Sequence, residues 1–369
     1  MFFFQTIIIY LSLFGFMLLC CKQAKKTGRW GYVIFAVLVY SVVFGMRYDV
    51  GVDQLAYLES YKSSSINPFN INYYHYESGF RLLMMSLIDR GAHFAWFFGV
   101  IAFMQLFLVF SSIRPHRDVY PFLVFTFMMG CIWLTYANGL RQQLAFCFFA
   151  LSVLFVERKQ WWWYYVMVAL AISMHKTAVL LVLFYPLLRY NEEWFKNEKV
   201  QIGLLLVAIV IGNMGFIQNY LGQLETYATL LGYEDYFQNQ YSEKMYEAIE
   251  RKGIGYYVLL LTNIILVWFS TKYKQYFKSK YVSYIYNFYF LGVLMNYAFA
   301  GSQLLQRINY YFYGFGFIVG AFALLYAKKN NKKTYWVLGA MYVLTFAATM
   351  FRMEDNTALF RFFWQVERL

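Results

Sequence analysis

The chain has 369 residues, 61% hydrophobic and 23% aromatic but only 14% charged, against roughly a quarter charged in a soluble domain. Its apolar stretches are continuous rather than alternating, which excludes a transmembrane β-barrel. The formal charge of +13 is carried mainly by short loops between those stretches, a positive-inside pattern rather than a nucleic-acid footprint.

The expected class is therefore an all-α polytopic integral membrane protein. The first apolar run, about 2–20, ends at Leu18-Leu19-Cys20-Cys21. It has no basic residues ahead of it and no small residue before the cysteine, so a retained span is expected rather than a cleaved signal or lipoprotein leader. A second run covers about 31–46. The shorter segment 77–90 carries Glu77, Arg81, Asp89 and Arg90 and is expected as a re-entrant or half-helix. Runs follow at about 93–113, 119–136, 140–156, 161–174, 176–188, 200–217, 254–270, 282–300, 308–327 and 335–350. The 161–174 and 176–188 runs fall short of the ~17 residues of a full span. That places His175-Lys176 below the membrane surface, where irregular backbone is tolerated only if it is buried or lines water. The stretch 218–253 mixes tyrosines with acidic residues and spaces Leu221, Leu224, Leu230 and Leu231 helically. Amphipathic helices on the outer surface are expected there.

Orientation follows from the basic loops. Lys22, Lys25, Lys26 and Arg29 follow the first run, and Arg114 and Arg117 the third. Arg158, Lys159, Arg189, Lys196 and Lys199 come next, then Lys272 to Lys280 and Lys328 to Lys333. All fall on one side if 77–90 does not cross, which predicts roughly twelve spans with both termini outside. Cys20, Cys21, Cys131 and Cys147 lie in or beside apolar runs and are expected as small buried residues, not a disulfide frame. With no repeat, low-complexity tract or Pro/Gly-rich linker, residues 1–369 form a single integral membrane domain, with outer loops at about 47–90 and 218–253.

The polar motifs gather on the predicted outer side. In Arg47-Tyr-Asp-Val-Gly-Val-Asp53, Gly51 permits a sharp turn holding Arg47 and Asp53 over a common pocket; the alternative is an interfacial turn meeting headgroups and water. In Asn138-Gly-Leu-Arg141-Gln142, Asn138 is a candidate N-cap of an inward-running helix whose free amides favour an anion. Arg81, Arg141 and Arg307 share a placement at helix starts. Each alone equally fits a snorkelling arginine, but their convergence points to an anion site, since guanidinium forks suit pyrophosphate. His175 is a candidate phosphate contact or base, or a satisfied structural histidine. No Walker loop or Gly-rich fingerprint appears, and no ligand cluster has metal spacing. No cofactor or metal is expected.

Taken together, these motifs resemble the EpsG-type exopolysaccharide proteins. Arg47-x-x-x-Gly51-Val-Asp53 with Tyr57 is similar to that family's Arg-x-x-x-Gly-Thr-Asp-x-x-x-Tyr, with Val52 in place of Thr. Glu77-Ser-Gly79-Phe, Asn138-x-x-Arg141-Gln142 and His175-Lys-Thr-Ala178 match in order, and Arg307 is carried over less securely. The resemblance implies a GT-C-like helical architecture and a Wzy-type polysaccharide polymerase, an enzyme joining undecaprenyl-pyrophosphate-linked repeat units. It implies a multi-pass protein of the bacterial cytoplasmic membrane with its site facing the periplasm or exterior. Arg141 and Arg307 are then expected on the pyrophosphate, with His175 a third contact or proton donor. Asp53 is the candidate base or orienter of the attacking hydroxyl. Tyr57, Glu77 and Gln142 are expected to bind substrate, with Arg47 and Arg81 as weaker candidates. The expected partners are the lipid-linked glycan and membrane lipid, with a chain-length regulator as a further candidate and no nucleic acid. Rival classes are a lipid-linked-glycan flippase, an O-antigen ligase and a non-enzymatic assembly component.

Overall fold

The computed structural model describes residues 2–214, 253–300, 303–354 and 357–366. The expected surface helices of 218–253, all but Gly253, lie outside the described residues. Almost everything described is helical, because in lipid each backbone amide and carbonyl has to be paired within its own segment.

Helix α1 (Phe2–Thr27) and α2 (Gly31–Gly45) form the first hairpin. The connection that follows contains α3 (Gln54–Ile66), a 3-10 turn at Pro68–Tyr74 and the short α4 (Ser78–Ile88), so the expected half-helix is eleven residues long. Then come α5 (Phe94–Ser112), α6 (Tyr120–Met129), α7 (Ile132–Asn138), α8 (Leu140–Glu157) and α9 (Trp161–Met174). His175 is extended, and beyond it the chain runs as a 3-10 helix over Lys176–Leu183 before α10 (Phe184–Tyr190). Helices α11 (Glu198–Asn213), α12 (Ile254–Trp268), α13 (Ser270–Phe277) and α14 (Lys280–Ala298) follow. The chain finishes with α15 (Gln303–Tyr313), α16 (Gly316–Asn330), α17 (Lys332–Phe351) and the one-turn α18 (Phe363–Val366).

By length and composition, five of these helical stretches can cross a membrane: α1, α5, α8, Leu305–Asn330 and α17. The number becomes seven if each of two bent pairs, α6 with α7 (68°) and α12 with α13 (53°), is one span. The hydropathy runs predict roughly twelve, and the difference lies in short or broken helices and in the 19-residue α14, which is long enough but too rich in Tyr and Asn to count by apolarity. The run at 31–46 folds as the 15-residue α2, and 161–188 is divided by the break at His175.

The bundle has two chemically distinct ends. At one, the basic loops meet: Lys25 pairs with Asp118 at 3.2 Å, and the Arg114 guanidinium lies 5.1 Å from the Trp30 ring. Lys329 stands over Tyr276, Lys280 pairs with Glu192, and Ser279 donates to Glu157 at 2.8 Å. At the other end, residues near both termini are tied to the turn that follows α2. Strand β1 (Arg47–Tyr48) pairs antiparallel with β2 (Arg361–Phe362), the Gly51 amide donates to the Thr357 carbonyl at 3.0 Å, and Gln5 and Gln365 exchange amide hydrogen bonds at 2.9 Å. Beneath this strap the Tyr10 ring lies 4.1 Å from fully buried Trp133.

Candidate functional site

The strapped end holds a cavity of about 470 Å³. Four breaks in helical structure build it: the turn before α3, the start of α4, the α7–α8 junction and the extended residue after α9. Helix α15 supplies the remaining wall.

The turn carrying Asp53 is docked on the α7–α8 junction. Gly51 has φ +92°, and a Cβ there would lie 3.2 Å from backbone atoms of Ala137 and Asn138. A side chain is therefore excluded both by conformation and by the close backbone approach. Two residues on, the Asp53 amide donates to Asn138 Oδ1 at 2.9 Å. Asn138 is thus not the N-cap of α8: that position falls to Gly139, and the Asn138 side chain is taken by the turn.

Arg47 does not face the cavity. It is 1% exposed, donates to the carbonyls of Phe44 (2.6 Å) and Ala137 (3.1 Å), and lies 4.9 Å from the Phe98 ring. Those carbonyls belong to the C-terminal turns of α2 and α7, where helix dipoles favour a cation. Gln54 completes the arrangement by donating to the Arg47 carbonyl and accepting from the Val50 amide, at 2.8 and 2.7 Å. The expected common pocket for Arg47 and Asp53 is replaced by a turn that Arg47 pins from behind. Arg81 is also elsewhere: it is exposed on α4 and donates to Asn72 Oδ1 at 3.2 Å, beside a separate shallow pocket.

The remaining candidates converge. Glu77 precedes α4 and stands behind the cavity wall. Its Oε2 accepts from Arg141 Nη1 at 2.6 Å, while Oε1 meets His175 Nδ1 and the Lys176 amide, each at 3.1 Å. Burial raises the Glu77 pKa, but the hydrogen bond from His175 and the Arg141 charge outweigh it, together with the Lys176 amide, and hold it at about 2. Gly79 makes this reach possible: a Cβ there would sit 2.3 Å from Ser173 Oγ, so only glycine lets α4 lie against the end of α9.

Arg141 is fixed on three sides. Besides Glu77, its Nε donates to the Tyr57 hydroxyl at 3.4 Å and its guanidinium lies 5.0 Å from the Tyr76 ring. Nη2 has no hydrogen bond among the described residues and the side chain lines the cavity. The same cavity is lined by Arg307, Gln306 and Tyr310 of α15 and by Asp53, whose carboxylate feels the charges of both Arg307 and Arg141. Gln142 donates to the Arg307 carbonyl, and Thr177 and Tyr311 share a hydrogen bond at 3.1 Å, so α15 is tied to both α8 and the 176–183 segment. Asp53 is open to the cavity. Its pKa is raised by burial among neighbouring walls, against the opposing influence of Arg307 and then Arg141.

The structure thus brings together Asp53, Tyr57, Glu77, Arg141, Gln142, His175 and Arg307, and leaves out Arg47 and Arg81. Sequence reasoning missed Tyr76, Gln306 and Tyr310. Tyr76 adjoins Glu77, and Gln306 and Tyr310 adjoin or lie one turn beyond Arg307, so proximity to a charged motif was the available signal. Chemically, two guanidinium groups, an imidazole and one carboxylate line a single space large enough for a small polar group. Among the described residues, no three His, Cys, Asp or Glu side chains gather as metal ligands.

No curated protein matches the chain, and no solved structure does. Residues 30–363 match the EpsG family over most of the chain, the matched stretch running from α2 through every cavity-lining element to the strap. The chain therefore belongs to the EpsG family, a family of Wzy-type polysaccharide polymerases.

Proposed function

We propose that the protein polymerises polysaccharide repeat units carried on undecaprenyl pyrophosphate, by glycosyl transfer at the outer face of a bacterial cytoplasmic membrane. The observation that carries this reading is the cavity itself, where Arg141, Arg307 and His175 face one another at the end of the bundle opposite the basic loops. That polarity supports placing the cavity end of the bundle, with the residues near both termini, outside.

In the proposed reaction an acceptor hydroxyl attacks the anomeric carbon of the donor glycan. The new carbon–oxygen bond forms as the bond to lipid pyrophosphate breaks, and the pyrophosphate leaves with the bonding electron pair. Arg141 and Arg307 stabilise the charge that grows on it, using donors already oriented before the reaction. With Nδ1–H donating to Glu77, His175 keeps Nε2 for the cavity. Protonated there, it is a third contact or a proton donor to the leaving group. Asp53, which lines the same cavity, accepts the acceptor hydroxyl's proton or orients that hydroxyl. Glu77 acts on Arg141 and His175 rather than on substrate, which revises its sequence-based role.

The test is reconstitution of the purified protein with a synthetic lipid-linked repeat, read as a ladder of chain lengths. Products with two or more repeats, formed with or without chelator, support a polymerase that uses no metal. Repeats that cross the bilayer but stay single support a flippase, and transfer only to a different acceptor supports a ligase.

A further inference from the structure

A second large cavity, about 420 Å³, opens among the basic loops at the far end of the bundle. Helices α1 and α17 both pack on α6. Between them lies a groove floored by Phe122 and Phe125 of α6 and Leu324 of α16. In α1 and α17 only 22% of the apolar window is buried inside the protein, so the groove opens on a flank that faces lipid. Two cations stand at it, Lys22 on α1 and Lys328 on α16, both exposed and without an ion pair among the described residues. Among the described residues, none that lines it is acidic. Lys328 Nζ lies 5.7 Å from the Phe122 ring, which holds that charge at the mouth of the apolar slot. Trp336, 71% exposed on α17, adds a ring of the kind that anchors at headgroup level.

An acyl chain gains little by leaving the bilayer for an apolar groove, because lipid tails are as apolar as the groove itself. Any selection must therefore come from the head of the ligand. Two ammonium groups flanking an apolar slot complement a phosphate carried at the top of a hydrocarbon chain. We infer that this groove binds one anionic phospholipid, its phosphate between Lys22 and Lys328 and one chain along Phe125 and Leu324. The site is separate from the Asp53 cavity, and the inference does not depend on the polymerase reading.

The experiment is native mass spectrometry of the full chain from nanodiscs holding equal phosphatidylglycerol and phosphatidylcholine. One phosphatidylglycerol retained per chain is expected, with a preference of about 30-fold from two lysines near the surface. Lys22→Ala with Lys328→Ala should bring the preference to about threefold or less, whereas arginine at both positions should keep it. A Cβ at Gly339, which lines the groove, would meet nothing within 4 Å. Gly339→Phe should therefore fold normally and expel the lipid with no change of charge. Equal retention of the two lipids, retention unchanged in both the lysine and the Gly339 variants, or a polyprenyl phosphate as the retained molecule would each overturn the inference.

Discussion

Glu77 receives hydrogen bonds from three directions while contributing no atom to the cavity surface, so it sets the charge of the site from behind. Its pKa is held at about 2, below the ordinary 4.5. Pairing with Arg141 and His175 thus contributes stability above about pH 4.5 and is lost only as pH falls through about 2. Asp53 shifts the other way: burial raises it above 3.8, so its carboxylate is neutralised at a higher pH than a free aspartate. If Asp53 takes the hydroxyl proton, turnover falls as pH drops through that raised value, and Asp53→Asn lowers turnover and removes this acid limb. A pH–rate profile of Asp53→Asn that matches wild type in height and shape excludes it as base. Arg141 gives the second prediction at this scale. Arg141→Ala should lower polymer formation by about 10²–10³-fold, the loss usual for one preorganised donor, with membrane abundance intact. Arg141→Lys should also be poor, because an ammonium cannot meet Tyr57, Glu77 and a ligand in one plane. Normal chain length in either variant would remove Arg141 from the mechanism.

Helix ends, rather than helix middles, do the positioning. The sequence shows where apolar runs stop, and the break at His175 was legible because 161–174 and 176–188 are each too short to span. The Arg141 and Arg307 positions were legible for a related reason: a cation at the start of an apolar run must face protein, water or headgroups. What stayed hidden was the pairing between breaks. Nothing local distinguishes Arg47, satisfied by two helix C-termini, from Arg141, satisfied by a carboxylate 64 positions away. Gly79 tests the pairing of α4 with α9. A side chain there collides with Ser173 Oγ at 2.3 Å and Met174 Cε at 2.8 Å, so Gly79→Leu should push the helices apart and take Glu77 away from His175. Turnover is expected to fall about as far as in Glu77→Ala, while detergent-solubilised helix content by circular dichroism stays at the wild-type level. Gly79→Ala should be milder, and Ser173→Gly in the same chain should recover part of its activity. Full activity in Gly79→Leu would mean that the close approach of α4 to α9 does not serve the site.

Across the whole molecule the argument rests on two ends of opposite character. The basic loops are joined to one another by contacts such as Lys25 with Asp118 and Ser279 with Glu157, and none of these residues lines the Asp53 cavity. Long helices connect the layers: α8 starts at the cavity with Leu140 and Arg141 and ends at Glu157 among the basic loops. If the basic layer is cytosolic, as loop lysines generally are, the cavity opens to the other side and sees only lipid-linked sugar already delivered there. Introduced cysteines decide this. The native cysteines Cys20, Cys21, Cys131 and Cys147 are all buried and give little background. At Gly139 an added Cβ makes only ordinary contacts, the nearest with Gln143 Cγ at 3.7 Å, so Gly139→Cys should fold and line the cavity. Lys332→Cys, at the start of α17, reports on the basic layer. In intact spheroplasts a membrane-impermeant maleimide should label position 139 and spare position 332, and permeabilisation should reverse the protection of 332. Labelling of 332 with 139 protected until permeabilisation would invert the molecule in the bilayer. The cavity would then face the compartment where lipid-linked repeats are made rather than joined, and a role in building or exporting single repeats would replace polymerisation.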